Sequence, residues 1–122
     1  MVSEEQAAAY GFSQAVRAGE LLFCAGQVGE DADGTVPGDP ARQFRLAFEA
    51  LGQVLARHGL GAADIVDLTS FHVGYPAHME EFAAEKVRFL GDARPAWTAI
   101  GVAALGYPQT LVEVKAIARI GS

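Results

Sequence analysis

The sequence contains a single cysteine, Cys24. One thiol cannot close a disulfide within the chain, so burial alone has to hold the fold together. A lone cysteine also suits a reducing compartment, and the expected location is the cytoplasm. Bases are scarce, 9 Lys and Arg against 15 Asp and Glu, for a net charge of −6. They are scattered from Arg17 to Arg119 with no basic run, which argues against a nucleic-acid partner. Every apolar run is interrupted by Gly, Pro or charge within about ten residues, so no transmembrane helix and no membrane partner are expected. The N-terminal stretch MVSEEQAAAYGFS carries acids where a signal peptide needs bases, and export is not expected. His58, His72 and His78 are dispersed, and no metal-ligand spacing recurs. A glycine-rich phosphate motif is also missing, so neither a metal nor a cofactor is expected.

What remains is a chain of 122 residues, 51% hydrophobic. It is read as one domain over residues 1–122, long enough to bury roughly two-thirds of its unfolded surface. Residues 1–10 read as a loosely held lead-in. A first strand is expected over Phe12 to Ala18. A second, Leu21 to Val28, is apolar enough to be buried on both faces. Gly29 to Gly38 reads as a loop, with a tight turn at Asp33-Gly34. Asp39 can cap a helix that has Pro40 in its first turn. Phe44, Phe48, Leu51 and Leu55 then form one apolar face before Gly59. Ile65 to Val73 has strand composition. A second helix follows Pro76, with Met79, Phe82, Ala83, Phe89 and Leu90 as its stripe and Gly91 at its end. Trp97 to Ala103 and Leu111 to Ile120 are the last strands, separated by Gly106-Tyr107-Pro108-Gln109.

The order β-β-α-β-α-β-β predicts an α+β domain, a mixed sheet with both helices packed on one face. In the last strand Val112, Val114, Ala116 and Ala118 alternate with Glu113, Lys115, Ile117 and Arg119. The first set suits a helix-covered face. The second is mixed, as a solvent or subunit interface would be.

Four stretches resemble one family, in order and in spacing. Gly11-Phe12-Ser13-Gln14-Ala15-Val16 is similar to its G-P-Y-S-Q-A-V, and Cys24-Ala25-Gly26-Gln27-Val28 to its v-S-G-Q-i. Pro95-Ala96-Trp97-Thr98-Ala99-Ile100-Gly101-Val102 is similar to its P-A-R-S-x-V-x-V. Leu111-Val112-Glu113-Val114-Lys115-Ala116-Ile117-Ala118 is similar to its lVEIeaiA. On these residues the chain resembles the RidA/YjgF (reactive intermediate deaminase) family across positions 11–120. The resemblance implies a chorismate-mutase-like fold, a homotrimer and small-molecule clefts between subunits. It also implies cofactor-free hydrolysis of 2-imino or 2-enamino acids to 2-oxo acids and ammonia. The family carries an older endoribonuclease label as well, which the charge balance disfavours here.

The resemblance also locates a departure. The P-A-R-S arginine, which holds the substrate carboxylate in the family, is matched by Trp97. A guanidinium gives a carboxylate two parallel charge-assisted hydrogen bonds, whereas an indole has one N–H and no charge. The family tyrosine is matched by Phe12, its cysteine by Ala99 and its helix asparagine by Lys86. The glutamate that helps orient water is kept as Glu113. Alternation puts Trp97, Ala99 and Gly101 on one face, expected to be the cleft side.

Glu113 is therefore the candidate catalytic residue, against an ordinary solvated or interface carboxylate. Trp97, Phe12, Ala99, Lys86 and His72 are the candidate substrate-binding residues. Trp97 can stack on a flat ligand or a cation, or plug a cleft or subunit contact. Lys86 can bring a cation to the cleft, pairing Glu113 or a ligand carboxylate, or lay its stem on apolar surface. His72 can act as a base, or be a buried, hydrogen-bonded histidine. His58 and His78 read as surface residues and Cys24 as an inert core thiol. Two function classes follow: hydrolysis of a neutral or aromatic imine or enamine, or non-catalytic binding of a small regulatory ligand. Imines of the 2-aminoacrylate type should be poor substrates.

Overall fold

The computed structural model describes residues 3–121. It opens with helix α1, Glu4–Ala9, followed by strands β1, Ala15–Ala18, and β2, Leu21–Gln27. Helix α2, Pro40–Ala56, leads through a 3-10 turn at Ala62–Asp64 into β3, Ile65–Val73. Helix α3, Met79–Leu90, precedes β4, Ala96–Val102, and β5, Val112–Arg119. The strands form one sheet in the order β1-β2-β5-β3-β4. Among the described residues only the β3–β4 pair is parallel. That pair is joined through α3, the crossover that parallel neighbours require.

The lead-in reading fails where it can be checked; residues 1 and 2 lie outside the described residues. Ser3 accepts from the Gln6 amide while the Gln6 side chain accepts from the Ser3 amide, a reciprocal cap that starts α1. Ala7 is fully buried, which anchors the helix. The first strand is correspondingly shorter than expected. Phe12 lies before it, its amide bonded to the Ala7 carbonyl.

The apolar face of α2 buries Phe44, Phe48, Leu51 and Leu55 against the sheet and α3. Each such side chain contributes roughly 1.5–3 kcal/mol relative to exposure. Asp39 stands at the start of α2 but gives no side-chain cap; its backbone carbonyl takes the Gln43 amide instead. Gly59 follows α2 with φ 73°, a conformation open to glycine at no steric cost. The apolar stripe of α3 is interrupted by Glu85, which is buried and grips Arg45 of α2 through two bonds of 3.1 Å.

Both long helices pack on one face of the sheet. There Leu22 and Cys24 of β2 meet Val112, Val114, Ala116 and Ala118 of β5. The alternation predicted for β5 is therefore present. Strand β2 departs from expectation. Leu22 and Cys24 are buried, but Leu21 and Phe23 are exposed on the far side. Among the described residues nothing covers that side, so an apolar run is not buried twice. Among the described residues no helix is long and apolar enough to cross a membrane.

Candidate functional site

The pairing of β4 with β3 aligns Trp97 with Leu68, Ala99 with Ser70 and Gly101 with His72. Leu68, Ser70 and His72 are buried beneath the helices. Trp97, Ala99 and Gly101 therefore share the helix-side face of the sheet at its β4 edge.

A compact polar network sits there. The Trp97 indole Nε1 donates to Ser70 Oγ at 2.9 Å, and His72 Nε2 lies 2.7 Å from the same oxygen. All three groups are satisfied when the Ser70 hydroxyl donates to His72 Nε2, leaving a neutral imidazole protonated on Nδ1. Burial pushes the His72 pKa down, in keeping with that neutral form. Phe82 of α3 lies against both rings, its centroid 4.6 Å from His72 and 6.1 Å from Trp97. One helical turn on, Lys86 places Nζ 3.2 Å from the Trp97 ring centroid. Such a cation–π contact contributes about 0.5–2 kcal/mol, depending on desolvation. Burial, and then the nearby Arg94, lower the Lys86 pKa.

Glu113 faces the other way. It pairs with Phe71 of β3, in the set containing Lys115 and Ile117, and so lies on the side without helices. Beneath it β2 shifts register between Cys24 and Gln27, and Gly26 occupies the irregularity. A side chain at Gly26 would collide with the Glu113 carboxylate, so the glycine makes room for the acid. Glu113 is partly buried and has no hydrogen-bond or ion-pair partner among the described residues. Burial raises its pKa, and Lys115 opposes the shift only in part.

The candidate residues thus fall into three places. Trp97, Ala99, Lys86 and His72 gather on the helix side at the β4 edge. Glu113 stands alone on the open side of a central strand. Phe12 precedes β1, at the opposite edge of the sheet. The suggested pairing of Lys86 with Glu113 does not occur within the chain, because the sheet lies between them. The buried, hydrogen-bonded reading of His72 holds. His58 and His78 are exposed, and Cys24 is buried with its pKa pushed up to about 11 by desolvation. No cluster of metal-ligating side chains exists among the described residues.

Three contributors escaped the sequence reading. Ser70 joins the indole to the imidazole; its phase with His72 on one strand was the available sign. Gly26 shapes the seat of Glu113. Tyr75 lies with its ring centroid 5.8 Å from His72, and its Cβ is 3.1 Å from where a Gly101 side chain would begin.

In class, the molecule is an α+β domain whose mixed sheet is backed by helices on one face and carries a partnerless carboxylate on the other. Residues 2–120 match the family model described as Endoribonuclease L-PSP. The chain belongs to that family, the RidA/YjgF family. It is 43% identical to the RutC family protein YjgH of Escherichia coli over 111 residues, 89% of this chain and 82% of that one. The solved structure of protein YJGH superposes with a TM-score of 0.83 at 41% identity, covering 94% of this chain and 88% of that chain. Rv2704 of Mycobacterium tuberculosis, a YjgF/YER057c/UK114 family member, superposes with a TM-score of 0.83 at 30% identity, covering 97% and 93%.

Proposed function

We propose that this protein is a cytoplasmic homotrimer that hydrolyses a flat, largely apolar imine or enamine to a carbonyl compound and ammonia in clefts between subunits. The carrying observation is Glu113, a partly buried carboxylate with a raised pKa and no partner among the described residues. A carboxylate kept free at the cost of desolvation is suited to hold and deprotonate a water. Phe12 and Trp97 lie at opposite edges of the sheet, and exposed Val16, Phe23 and Ile100 remain on strands with no cover in one chain. Both facts favour clefts built by neighbouring copies.

In the proposed reaction Glu113 accepts one proton from water as the oxygen bonds to the imine carbon. The C=N pair moves to nitrogen, which takes that proton from Glu113, giving a neutral carbinolamine and the free carboxylate. Glu113 then takes the hydroxyl proton and passes it to nitrogen as C=O forms and the C–N bond breaks, releasing ammonia. No cofactor is required. An enamine enters the same path after protonation at carbon.

The arginine that the family uses for a carboxylate is matched by Trp97. Small 2-imino acids should therefore be poor substrates. The test is ammonia release from an aryl imine generated in solution, compared with 2-aminoacrylate. Turnover should favour the aryl imine and fall about 100-fold in Glu113→Gln. An unchanged rate in that variant would exclude catalysis by Glu113, and brisk turnover of 2-aminoacrylate would remove the importance given to the lost guanidinium. Binding of the aryl compound without turnover would favour the second reading, a regulatory ligand-binding protein. Sedimentation equilibrium should report three copies.

A further inference from the structure

Of the nine Lys and Arg side chains, three have found a carboxylate among the described residues. Arg42 meets Asp31, Arg45 meets Glu85 and Arg57 meets Glu4. Lys86 has not. Lys86 is partly buried, its ammonium rests on the Trp97 ring, and the charge of Arg94 acts on it. Arg94 is fixed at the end of α3, where its Nη1 donates to the carbonyls of Gly91 at 2.8 Å and Ala93 at 2.7 Å. It too has no ion-pair partner among the described residues.

Lys86 is thus partly desolvated, is opposed by the charge of Arg94 and has no carboxylate partner among the described residues. The indole face offsets only part of this, and an ammonium with three donors cannot aim all of them at one ring. An anion arriving at Lys86 would relieve both costs. The neighbouring surface limits what the anion can be attached to. On the same face of β4, Ala99 lies between Trp97 and Gly101, and Tyr75 covers Gly101. Trp97 is 38% and Tyr75 49% exposed. This makes an apolar strip bracketed by two rings, with the cation at its Trp97 end.

We infer that Lys86, supported by Arg94, is the specificity-determining anion anchor of this protein, and that its ligand is a small carboxylic acid with a flat aromatic body lying along Trp97, Ala99 and Tyr75. This rests on the reading that the β4 edge lines a ligand cleft. The anchor is a point charge on a helix, not a planar fork on the strand. It therefore selects a longer aromatic acid and leaves small imino acids weakly held.

The sequence has one tryptophan, so fluorescence reports this place alone. The full-length protein is titrated with benzoate and with benzamide, which match in shape and differ in charge. Benzoate should give a saturable change, with benzamide at least about tenfold weaker. Lys86→Met should weaken benzoate about tenfold and leave benzamide unmoved, while Lys86→Arg stays within about threefold of the parent. Arg94→Gln should have the smaller effect. Melting curves check each fold, and Lys86→Gln replaces the Met variant if that one melts early. Equal affinities for the two probes, or unchanged benzoate binding without Lys86, overturn the inference. The titration is repeated in Glu113→Gln. Charge-selective binding there, with no imine turnover by the parent, keeps the anchor and removes the hydrolase reading. Turnover without charge selectivity removes the anchor alone.

Discussion

Trp97 and Glu113 point to opposite sides of one sheet, with strand β3 between their own strands. Trp97 stands in register with buried Leu68, and Glu113 with half-buried Phe71. A ligand touching both cannot lie within one copy. The two residues that the sequence marks most strongly are therefore parts of different surfaces.

On the helix side, Ser70→Ala should destabilise more than Trp97→Phe. Removing the buried hydroxyl leaves both the indole N–H and His72 Nε2 without their shared partner, a loss of about 2–3 kcal/mol. Trp97→Phe removes one donor and leaves the Ser70–His72 bond, a loss of about 1 kcal/mol. Urea unfolding of the two variants gives the order directly. The reverse order would show that the network does not hold the β4 edge.

On the open side, Gly26→Ala should displace the Glu113 carboxylate and lower both stability and any turnover. In a Glu113→Ala background the same substitution should be nearly silent, because the colliding group is gone. The double-mutant cycle should show a coupling of about 1 kcal/mol or more. Additive effects would mean that the backbone, and not the acid, requires glycine.

His72 supplies a pH test. Its pKa in the folded chain lies below the ordinary 6.5, because burial disfavours the charged ring. Above 6.5 both folded and unfolded chains hold it neutral. As pH falls through that value the unfolded chain binds a proton first, and stability drops until the folded pKa is passed. The parent should lose more melting temperature between pH 7.5 and 5.5 than His72→Gln does. Parallel losses would show that other groups govern the acid side.

Glu113 works in the opposite direction. Its raised pKa puts the acid limb of any rate profile above the ordinary 4.5, since the ionised form holds the water. Activity should rise with pH through that limb in the parent, and Glu113→Gln should show no such limb. A limb that persists in the variant belongs to another group.

Much of this was legible from residue order. Strand β3 spans the predicted residues, and the apolar face of α2 follows directly from Phe44, Phe48, Leu51 and Leu55. The two sides of β5 separate as its alternation requires. Helix α1 was missed because six residues carry little periodicity, and its signal was the reciprocal pair Ser3 and Gln6. Leu21 and Phe23 were misjudged because apolar composition does not say whether the cover comes from the same chain. The relation of Trp97 to Glu113 could not be read at all. Alternation orders residues within one strand, but which side each strand turns to the helices is fixed by the β3 pairings on both its edges.

The placement of Phe12 and Trp97 at the two rims of the sheet has a genetic consequence. If each cleft draws one from each of two copies, a protein damaged at Phe12 and another damaged at Trp97 should rescue one another when co-expressed. In randomly mixed rings roughly a quarter of the clefts would be whole. Two dead alleles could then yield a working assembly.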